Sequence, residues 1–254
     1  MLLVIAPSKT QKFDGLVPKE HTLPVFLPEI TTLVGQLKDL DRNGLAGLMN
    51  LSEKLVDSTW SRFQEFSSSF ASENARQAIL AFQDDVYAGM RVEEFSPEDF
   101  TFAQGHLRIL SGLYGVLKPL DLMQPYRLEM QTKLKTASAD NLYDFWGNTI
   151  TESLNHDLVE GGNTHVVNLA SQEYFKAVKP ALLKRPVLNI AFKAKKNGQY
   201  RIIAIYAKRA RGLMAKFVIK NRLVDINDLK KFKEDGYRYH DSLSSELQWV
   251  FCKG

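Results

Sequence analysis

The amino-acid sequence predicts an α+β fold, a single compact domain in which helices flank a mixed β-sheet. Short apolar runs, at residues 2–5 and 166–170, alternate with segments of helical spacing. Lys196-Asn197-Gly198 joins two further β-like runs, and Asn-Gly between such runs is the strongest short hairpin signal. A final β pair is predicted at residues 237–240 and 247–251. Alternation early in the chain and hairpins late in it predict a mixed sheet.

The composition is that of an ordinary globular protein. The chain has 254 residues, of which 44% are apolar and 24% charged. No run approaches the length of a membrane span, and the apolar N-terminus is too short for a signal peptide. The single cysteine, Cys252, rules out a disulfide within the chain and fits a reducing compartment. We therefore expect one domain over residues 1–254, a cytoplasmic location, no membrane partner and a monomer.

The first strand, residues 2–5, runs into Pro7-Ser8-Lys9-Thr10. Hydroxyls and an ammonium then stand where α/β sheets usually bind ligands. The glycines of a phosphate-binding P-loop are absent. Residues 11–28, with three prolines, are expected to be an extended surface connection.

A helix is predicted over residues 28–40, and residues 44–66 predict an αα-hairpin. Its first helix ends at Met49, and Ser52 is expected to cap a second helix that reaches Phe66. One form of this unit, the helix-hairpin-helix, offers amide groups to a DNA phosphate. Its usual glycines are missing here, so an ordinary packing hairpin is an equal alternative. Lys54 would favour phosphate contact and Glu53 would oppose it.

Two further helices are predicted before the middle of the chain. Ser72 is expected to cap a helix over residues 73–82, which is followed by Asp84-Asp85. Paired aspartates can hold Mg²⁺ or act as a base, and Asp85 is a candidate for that role, although such pairs more often cap a turn. Ser96-Pro97 predicts a strong helix start, and apolar residues recur at helical spacing as far as Tyr114.

Residues 110–130 are too apolar for a solvent loop and too rich in proline and glycine for a helix. We expect an irregular segment held against the core, with polar side chains in a cleft. Asp121, Tyr126, Arg127 and Glu129 are candidate catalytic or binding residues, and Lys9, Asp85 and Glu173 could lie near them. A carboxylate in an apolar wall suits proton transfer. The alternative is a buried ion pair of Arg127 with Asp121 or Glu129 that only fixes the loop.

A long helix is predicted over residues 141–160, ended by Gly161-Gly162. The strand at 166–170 then leads into Ser171 and a helix start, and this junction is expected to lie beside the one that follows the first strand. The hairpin strands are predicted at 186–195 and 199–208, and helices at 210–222 and 226–232. The basic side chains of the helix at 210–222 are expected on or near its exposed side.

The charge of the chain is uneven. Residues 176–222 contain 14 Lys or Arg and no Asp or Glu, which leaves 19 basic and 29 acidic residues elsewhere. A region so free of acid suggests a polyanionic partner, although strands with basic solvent faces are the plainer explanation.

Four stretches resemble motifs of the peroxide-stress resistance protein YaaA family: residues 73–89, 111–130, 168–180 and 206–217. The resemblance covers essentially the whole chain, in the family's order. It implies a cytoplasmic bacterial protein that limits damage under hydrogen peroxide by keeping unincorporated iron low. It also implies DNA binding by a mixed α/β fold with a helix-hairpin-helix and a positively charged cleft.

The sequence hypothesis is therefore a DNA-binding protein of the peroxide response that contacts phosphates of duplex or branched DNA with little sequence specificity. The candidate contacts are Lys9, Ser52, Lys54, Lys118, Arg127, Lys176, Lys208, Arg209, Arg211 and Lys216. The alternative is an enzyme that acts on a nucleobase or nucleotide at Asp121, Tyr126, Arg127 and Glu129. No cofactor and no metal site is predicted, because the five histidines are scattered and no Glu-x-x-His pair occurs.

Overall fold

The structure is a computed structural model that describes residues 1–14 and 20–254. The strands are β1 (Leu2–Ile5), β2 (Arg76–Gln77), β3 (Leu107–Ser111), β4 (Gly115–Leu117), β5 (Leu122–Met123), β6 (Val166–Asn168), β7 (Val187–Lys196), β8 (Gln199–Arg201), β9 (Arg238–Tyr239) and β10 (Gln248–Lys253). The helices are α1 (Leu27–Lys38), α2 (Arg42–Met49), α3 (Glu53–Glu65), α4 (Ala78–Ala81), α5 (Asp85–Met90), α6 (Pro97–His106), α7 (Leu142–Trp146), α8 (Thr149–Glu160), α9 (Gln172–Phe175) and α10 (Ala204–Lys220).

The main sheet of the described chain follows the order β4-β3-β1-β6-β7-β10-β9, with β8 paired to β7. The five central strands, from β3 to β10, are parallel to their neighbours. The strands β4, β8 and β9 pair antiparallel with β3, β7 and β10. The expected α+β fold with a mixed sheet flanked by helices is confirmed, with the parallel strands at its centre.

The core sits against both faces of the central strands. All four residues of β1 and all five of β3 are buried, as expected for parallel strands that carry cover on both faces. Helix α1 buries Ile30, Leu33, Val34 and Leu37 at helical spacing. Buried side chains of the sheet and of its helices form one contiguous cluster.

Helices α5 and α10 cross with their backbones in contact. A Cβ at Gly212 would stand 1.8 Å from the Val86 carbonyl oxygen, and one at Gly89 would stand 2.3 Å from that of Arg209. Only glycine permits so close an approach. This contact fixes the position of α10, which carries several of the basic side chains of residues 176–222.

Several predicted features are confirmed. Ser96 forms a full capping box with Asp99 at the start of α6. The Asn197-Gly198 turn joins β7 to β8, with both residues at positive φ. The junctions after β1 and β6 are neighbours, because these strands pair in parallel from Leu2 and Val166 onward.

The predicted helix that ran from Ser96 to Tyr114 is wrong in its second half. Helix α6 ends at His106, and the next five residues form β3. A strand buried on both faces lacks polar alternation, so its apolar residues also match a helical spacing. The segment 110–130 is buried as expected, but it is less irregular than expected, since it contains β4 and β5.

Three other predicted elements need correction. The helix at 73–82 is instead the short strand β2 followed by α4, and Ser72 caps nothing, since its hydroxyl donates to Glu73. The helix at 141–160 is broken at Gly147, whose φ is 49°. The strand at 199–208 ends at Arg201, and α10 begins six residues before the predicted start at 210.

Part of the expected extended connection at 11–28, including Pro18, lies outside the described residues. None of the helices in the described ranges combines the length and the apolar character needed to cross a membrane.

Candidate functional site

The strand order creates a crevice beside β1. The chain leaves β1 for β3 on one side, whereas it leaves β6 for β7 on the other. Where neighbouring parallel strands send their connections in opposite directions, a crevice opens at their carboxyl ends. Here it lies beyond Ile5 and Asn168, the last residues of the two strands.

Four charged side chains meet at this crevice, and we call Lys9, Arg127, Glu129 and Glu173 the switch-point cluster. Lys9 Nζ lies 2.7 Å from Glu129 Oε1, and Arg127 Nη2 lies 3.8 Å from the same oxygen. The backbone N–H of Gln131 donates to Glu173 Oε1 at 3.4 Å. The sequence prediction that Lys9 and Glu173 lie near Arg127 and Glu129 agrees with this geometry.

Gly112 allows the segment that carries Arg127 and Glu129 to reach the cluster. Gly112 follows β3 directly, and a Cβ there would stand 2.5 Å from the Leu128 carbonyl oxygen. The chain at Leu128 and Glu129 therefore crosses directly over the end of β3. This crossing carries Glu129 to the end of β1, where Lys9 meets it.

Arg127 is held with part of its guanidinium unpaired. Its Nε is buried and has no hydrogen-bond partner among the described residues. The side chain borders a cleft of about 360 Å³ together with Glu129, Gln131 and Lys133. Residues 47–50, at the end of α2, form the opposite wall. A buried donor without a partner is costly unless a ligand accepts from it.

The environment of the cluster raises the pKa of one carboxylate. Burial raises the pKa of Glu173, and the negative charge of Glu129 raises it further. The pKa of Tyr174 is raised by its burial and, to a smaller degree, by Tyr126 and Glu173. A cation-bound carboxylate beside one of raised pKa is an arrangement that can hold or move a proton.

Asp121 and Tyr126 lie outside this cluster. Asp121 is 1% exposed, and its two oxygens accept hydrogen bonds from Thr22 Oγ1 at 2.5 Å and from the Lys118 backbone N–H at 2.7 Å. Burial raises the pKa of Asp121 to about 6. The Tyr126 hydroxyl is buried and shares a 2.7 Å hydrogen bond with Ser111. Both residues therefore hold the segment 110–130 in place.

The sequence reasoning missed a buried ion pair behind Asp121. Arg108 Nε lies 2.6 Å from Asp157 Oδ2, and both side chains are almost fully buried. Lys118 Nζ stands 3.5 Å from the other oxygen of Asp157. These groups and Asp121 line a separate cleft of about 320 Å³. An arginine inside the apolar run of β3 was the available signal, because a buried charge needs a partner.

The aspartate pair begins a helix. Asp84 caps α5 by accepting from the backbone N–H groups of Val86 and Tyr87, and Asp85 stands in the first turn. Lys208 Nζ lies 3.8 Å from Asp84 Oδ2. The residues that the structure describes bring together no group of three or more His, Cys, Asp or Glu side chains suited to a metal.

Helices α2 and α3 form the expected αα-hairpin. Asn50 ends α2 in the left-handed conformation, with φ of 50°, and Ser52 stands at the cap position of α3. The Ser52 side chain makes no capping hydrogen bond, and Lys54 is exposed. The phosphate-binding detail of a helix-hairpin-helix is not confirmed by this geometry.

The basic side chains of residues 176–222 divide into those that contact a carboxylate and those that do not. Lys208, Lys216, Lys220 and Arg222 contact Asp84, Glu94 or Asp99. The other ten have no carboxylate within 4.0 Å in the described part of the chain: Lys176, Lys179, Lys184, Arg185, Lys193, Lys195, Lys196, Arg201, Arg209 and Arg211. Lys176 and Arg211 line one cleft and Arg209 another, and neither cleft includes the α2–α3 turn. The basic side chains of α10 are expected on or near its exposed side, and two of them, Arg211 and Lys216, are half-buried.

The fold belongs to the class of mixed-sheet proteins whose central strands are parallel and whose carboxyl-end crevice carries charged side chains. Residues 1–243 match the family model of the peroxide stress protein YaaA, and the chain belongs to that family. It is 55% identical over 253 residues to a UPF0246 protein of Acaryochloris marina, with both chains covered completely. A UPF0246 protein of Shewanella amazonensis is 49% identical over 254 residues, covering 100% of this chain and 99% of the relative. Membership of the family supports a role in peroxide stress.

Proposed function

We propose that this protein binds duplex or branched DNA in the cytoplasm during peroxide stress, mainly through phosphate contacts. The observation that carries the proposal is the set of ten basic side chains in residues 176–222 without a carboxylate partner in the described chain. Cations free of internal partners are available to neutralise phosphates and to release counterions. DNA covered in this way would suffer less iron-dependent oxidative damage.

The unpaired cations lie on more than one element. Lys193, Lys195, Lys196 and Arg201 belong to the β7–β8 hairpin, whereas Lys176 follows α9 directly. The cations of α10 contribute less, since three of them are held by acidic side chains. The α2–α3 hairpin, with Ser52 and Lys54, is proposed as a second phosphate contact beside Arg127.

Fluorescence anisotropy with unrelated duplexes and a four-way junction across a salt series tests the proposal. We expect similar affinity for all duplex sequences and a steep fall with salt, because phosphate contacts carry no sequence information. Lys196→Gln should weaken binding to every duplex. Lys231→Gln is the matched control, since Lys231 is exposed but paired with Asp228 at 2.6 Å. Affinity that does not change with salt would refute the proposal.

A second function is proposed for the switch-point cluster: chemistry on a nucleobase or nucleotide. The unpaired Nε of Arg127 favours an acceptor group on a ligand. Glu173, whose pKa burial raises, is the candidate acid or base, and Lys9 and Glu129 would position the substrate. Asp121 and Tyr126 are left out of this proposal because they face other partners.

Chromatography of nucleosides and nucleotides incubated with the protein tests this second function. Turnover should fall at least tenfold in Glu173→Gln, in line with the usual contribution of an acid–base group. Arg127→Ala separates a ligand role from a structural one. If this variant keeps its thermal unfolding midpoint and loses turnover, Arg127 binds the ligand. If the variant unfolds, the role of Arg127 is to stabilise the segment 110–130. Equal turnover in wild type and Glu173→Gln would overturn the assignment.

A further inference from the structure

A cleft lined by unpaired cations lies between α9, β7 and α10. Its volume is about 630 Å³, and we call it the basic-face pocket. Residues 168–172 form one wall, residues 189–192 of β7 form the floor, and Ala207 and Arg211 of α10 form the other wall. Ala207 and Arg211 are four residues apart, so they share one face of the helix.

The charge of the basic-face pocket is of one sign. Lys176 and Arg211 line it, and no Asp or Glu of the described chain is among its lining residues. Arg211 makes no ion pair and no side-chain hydrogen bond within the described residues, although it is half-buried. Its burial lowers the pKa of the guanidinium. A desolvated cation without a partner is costly, and an anion seated beside it would remove that cost.

The rest of the lining is apolar with amide groups at its rim. Phe175 is partly exposed and offers apolar surface to a flat ring, and Ile190 and Phe192 lie buried beneath the pocket. Asn168 and Asn189 hold each other, since Asn168 Nδ2 donates to Asn189 Oδ1 at 2.9 Å. The exposed side chains of Gln172 and Gln248 make no hydrogen bond within the described residues. Amides of this kind bind the donor and acceptor groups of a base edge.

We propose that the basic-face pocket binds a nucleotide, with its phosphate on Arg211 and Lys176 and its base against Phe175. The volume lies within the range of small-ligand sites and admits a mononucleotide. The nucleotide is either a free mononucleotide or an unpaired residue of a nucleic-acid strand, since both carry the same phosphate and base. The inference goes beyond duplex binding and stands apart from the chemistry proposed at the switch-point cluster.

Isothermal titration calorimetry with 5′-dAMP, deoxyadenosine and inorganic phosphate tests the free nucleotide. We expect 5′-dAMP to bind at least tenfold more tightly than either fragment, because only it fills both parts of the pocket. Arg211→Met keeps the aliphatic stem and should lower the 5′-dAMP affinity about tenfold or more. Arg238→Met is the control, since Arg238 is exposed and, among the described residues, donates to the backbone carbonyls of Lys233 and Tyr237.

Binding of an unpaired nucleotide within a nucleic-acid strand is tested with a single-stranded oligonucleotide that contains 2-aminopurine. Binding in the pocket should change the base fluorescence in wild type, and Arg211→Met should abolish the change. If Arg211→Met lowers the unfolding midpoint, Lys176→Met replaces it, because Lys176 is exposed and its loss should weaken both probes severalfold. The inference is overturned if neither probe binds, or if both bind wild type and the pocket variants alike. Salt-dependent duplex binding that persists in Arg211→Met would leave the duplex proposal intact.

Discussion

The switch-point cluster and the basic-face pocket border the same short segment, but the cluster is balanced in charge and the pocket is lined by cations alone. Ala170 and Gln172 line the pocket, whereas Glu173 belongs to the cluster. In the cluster, two cations face two carboxylates, and one oxygen of Glu129 lies near both Lys9 and Arg127. In the pocket, Lys176 and Arg211 have no carboxylate beside them in the described chain. One β6–α9 connection thus separates two electrostatic environments.

The two charge patterns suit the two regions to different tasks. A charge-balanced cluster keeps its ions without a ligand, and it can hold a proton because Glu173 has a raised pKa. A cation-only pocket gains most from an external anion. We therefore expect the pocket to dominate anion affinity, and the cluster to respond to pH.

The largest loss of stability is expected for Gly212→Ala, which displaces α10 and with it one wall of the basic-face pocket. The new Cβ would stand 1.8 Å from the Val86 carbonyl oxygen, so α10 must move away from α5. We expect a loss of about 3 kcal/mol or more in the free energy of unfolding, measured in urea. Gly105→Ala is the control, because its Cβ would meet nothing within 4 Å inside α6 and should stabilise by roughly 0.5–1 kcal/mol. Equal stability of Gly212→Ala and wild type would show that the helices do not pack this closely.

A smaller loss is expected for Gly112→Ala, which acts on the cluster. The methyl group would stand 2.5 Å from the Leu128 carbonyl oxygen and would push Glu129 away from Lys9. We expect about 1–3 kcal/mol of destabilisation. Gly47→Ala is the control: Gly47 lies in α2 on the wall of the cleft that Glu129 borders, nothing stands within 4 Å of its Cβ, and the change should stabilise slightly, as Gly105→Ala does. Gly112→Ala should keep most of the duplex affinity, because the ten basic side chains of residues 176–222 that carry the proposal are unchanged and only the second phosphate contact beside Arg127 is disturbed. Complete loss of duplex affinity would mean that the cluster and these basic side chains are coupled.

A third prediction compares two lysines of residues 176–222, one paired with a carboxylate and one without such a partner. The Lys216 ammonium contacts the Glu94 carboxylate, whereas Lys196 has no such partner in the described chain. Lys196→Gln should lower the slope of log affinity against log salt by about one if it contacts one phosphate. Lys216→Gln should change the slope by less, because its charge is already compensated. Anisotropy titrations over several salt concentrations measure both slopes, and a larger change in Lys216→Gln would contradict the proposed division.

The sequence was sufficient for features set by local chemistry. The Ser96 cap, the Asn197-Gly198 turn and β1 were predicted because each depends on a few neighbouring residues. The mixed sheet is predicted from the alternation of strands and helices early in the chain and from the hairpins late in it. The pairing of β1 with β6, which creates the crevice, was expected from two similar strand-to-helix junctions.

The misses arise where tertiary contacts override local pattern. The sequence of β3 predicts a helix because burial on both faces removes the alternation that marks a strand. Asp121 and Tyr126 are near Arg127 in sequence, yet Thr22 and Ser111 bind them elsewhere. Ala207 lines the pocket beside Arg211 and belongs to α10, although the strand-like residues around it predict a strand over 199–208. Such contacts join distant parts of the chain, so no local window contains them.

The smallest effect is expected from pH, through Glu173. Its folded-state pKa is raised from the ordinary 4.5, so just above pH 4.5 the folded protein binds more protons than the unfolded chain. The free energy of unfolding should therefore fall as pH rises from 4.5 through the folded-state pKa. Glu173→Gln removes this loss and should be more stable than wild type near pH 7, by less than about 1 kcal/mol because solvent screens a half-buried group. Urea denaturation of both proteins between pH 4 and 7 measures the difference, with Glu160→Gln as an exposed carboxylate control. A wild type that gains stability relative to Glu173→Gln over this range would show that the cluster stabilises the ionised carboxylate, and the cluster would then lack its proton-holding group.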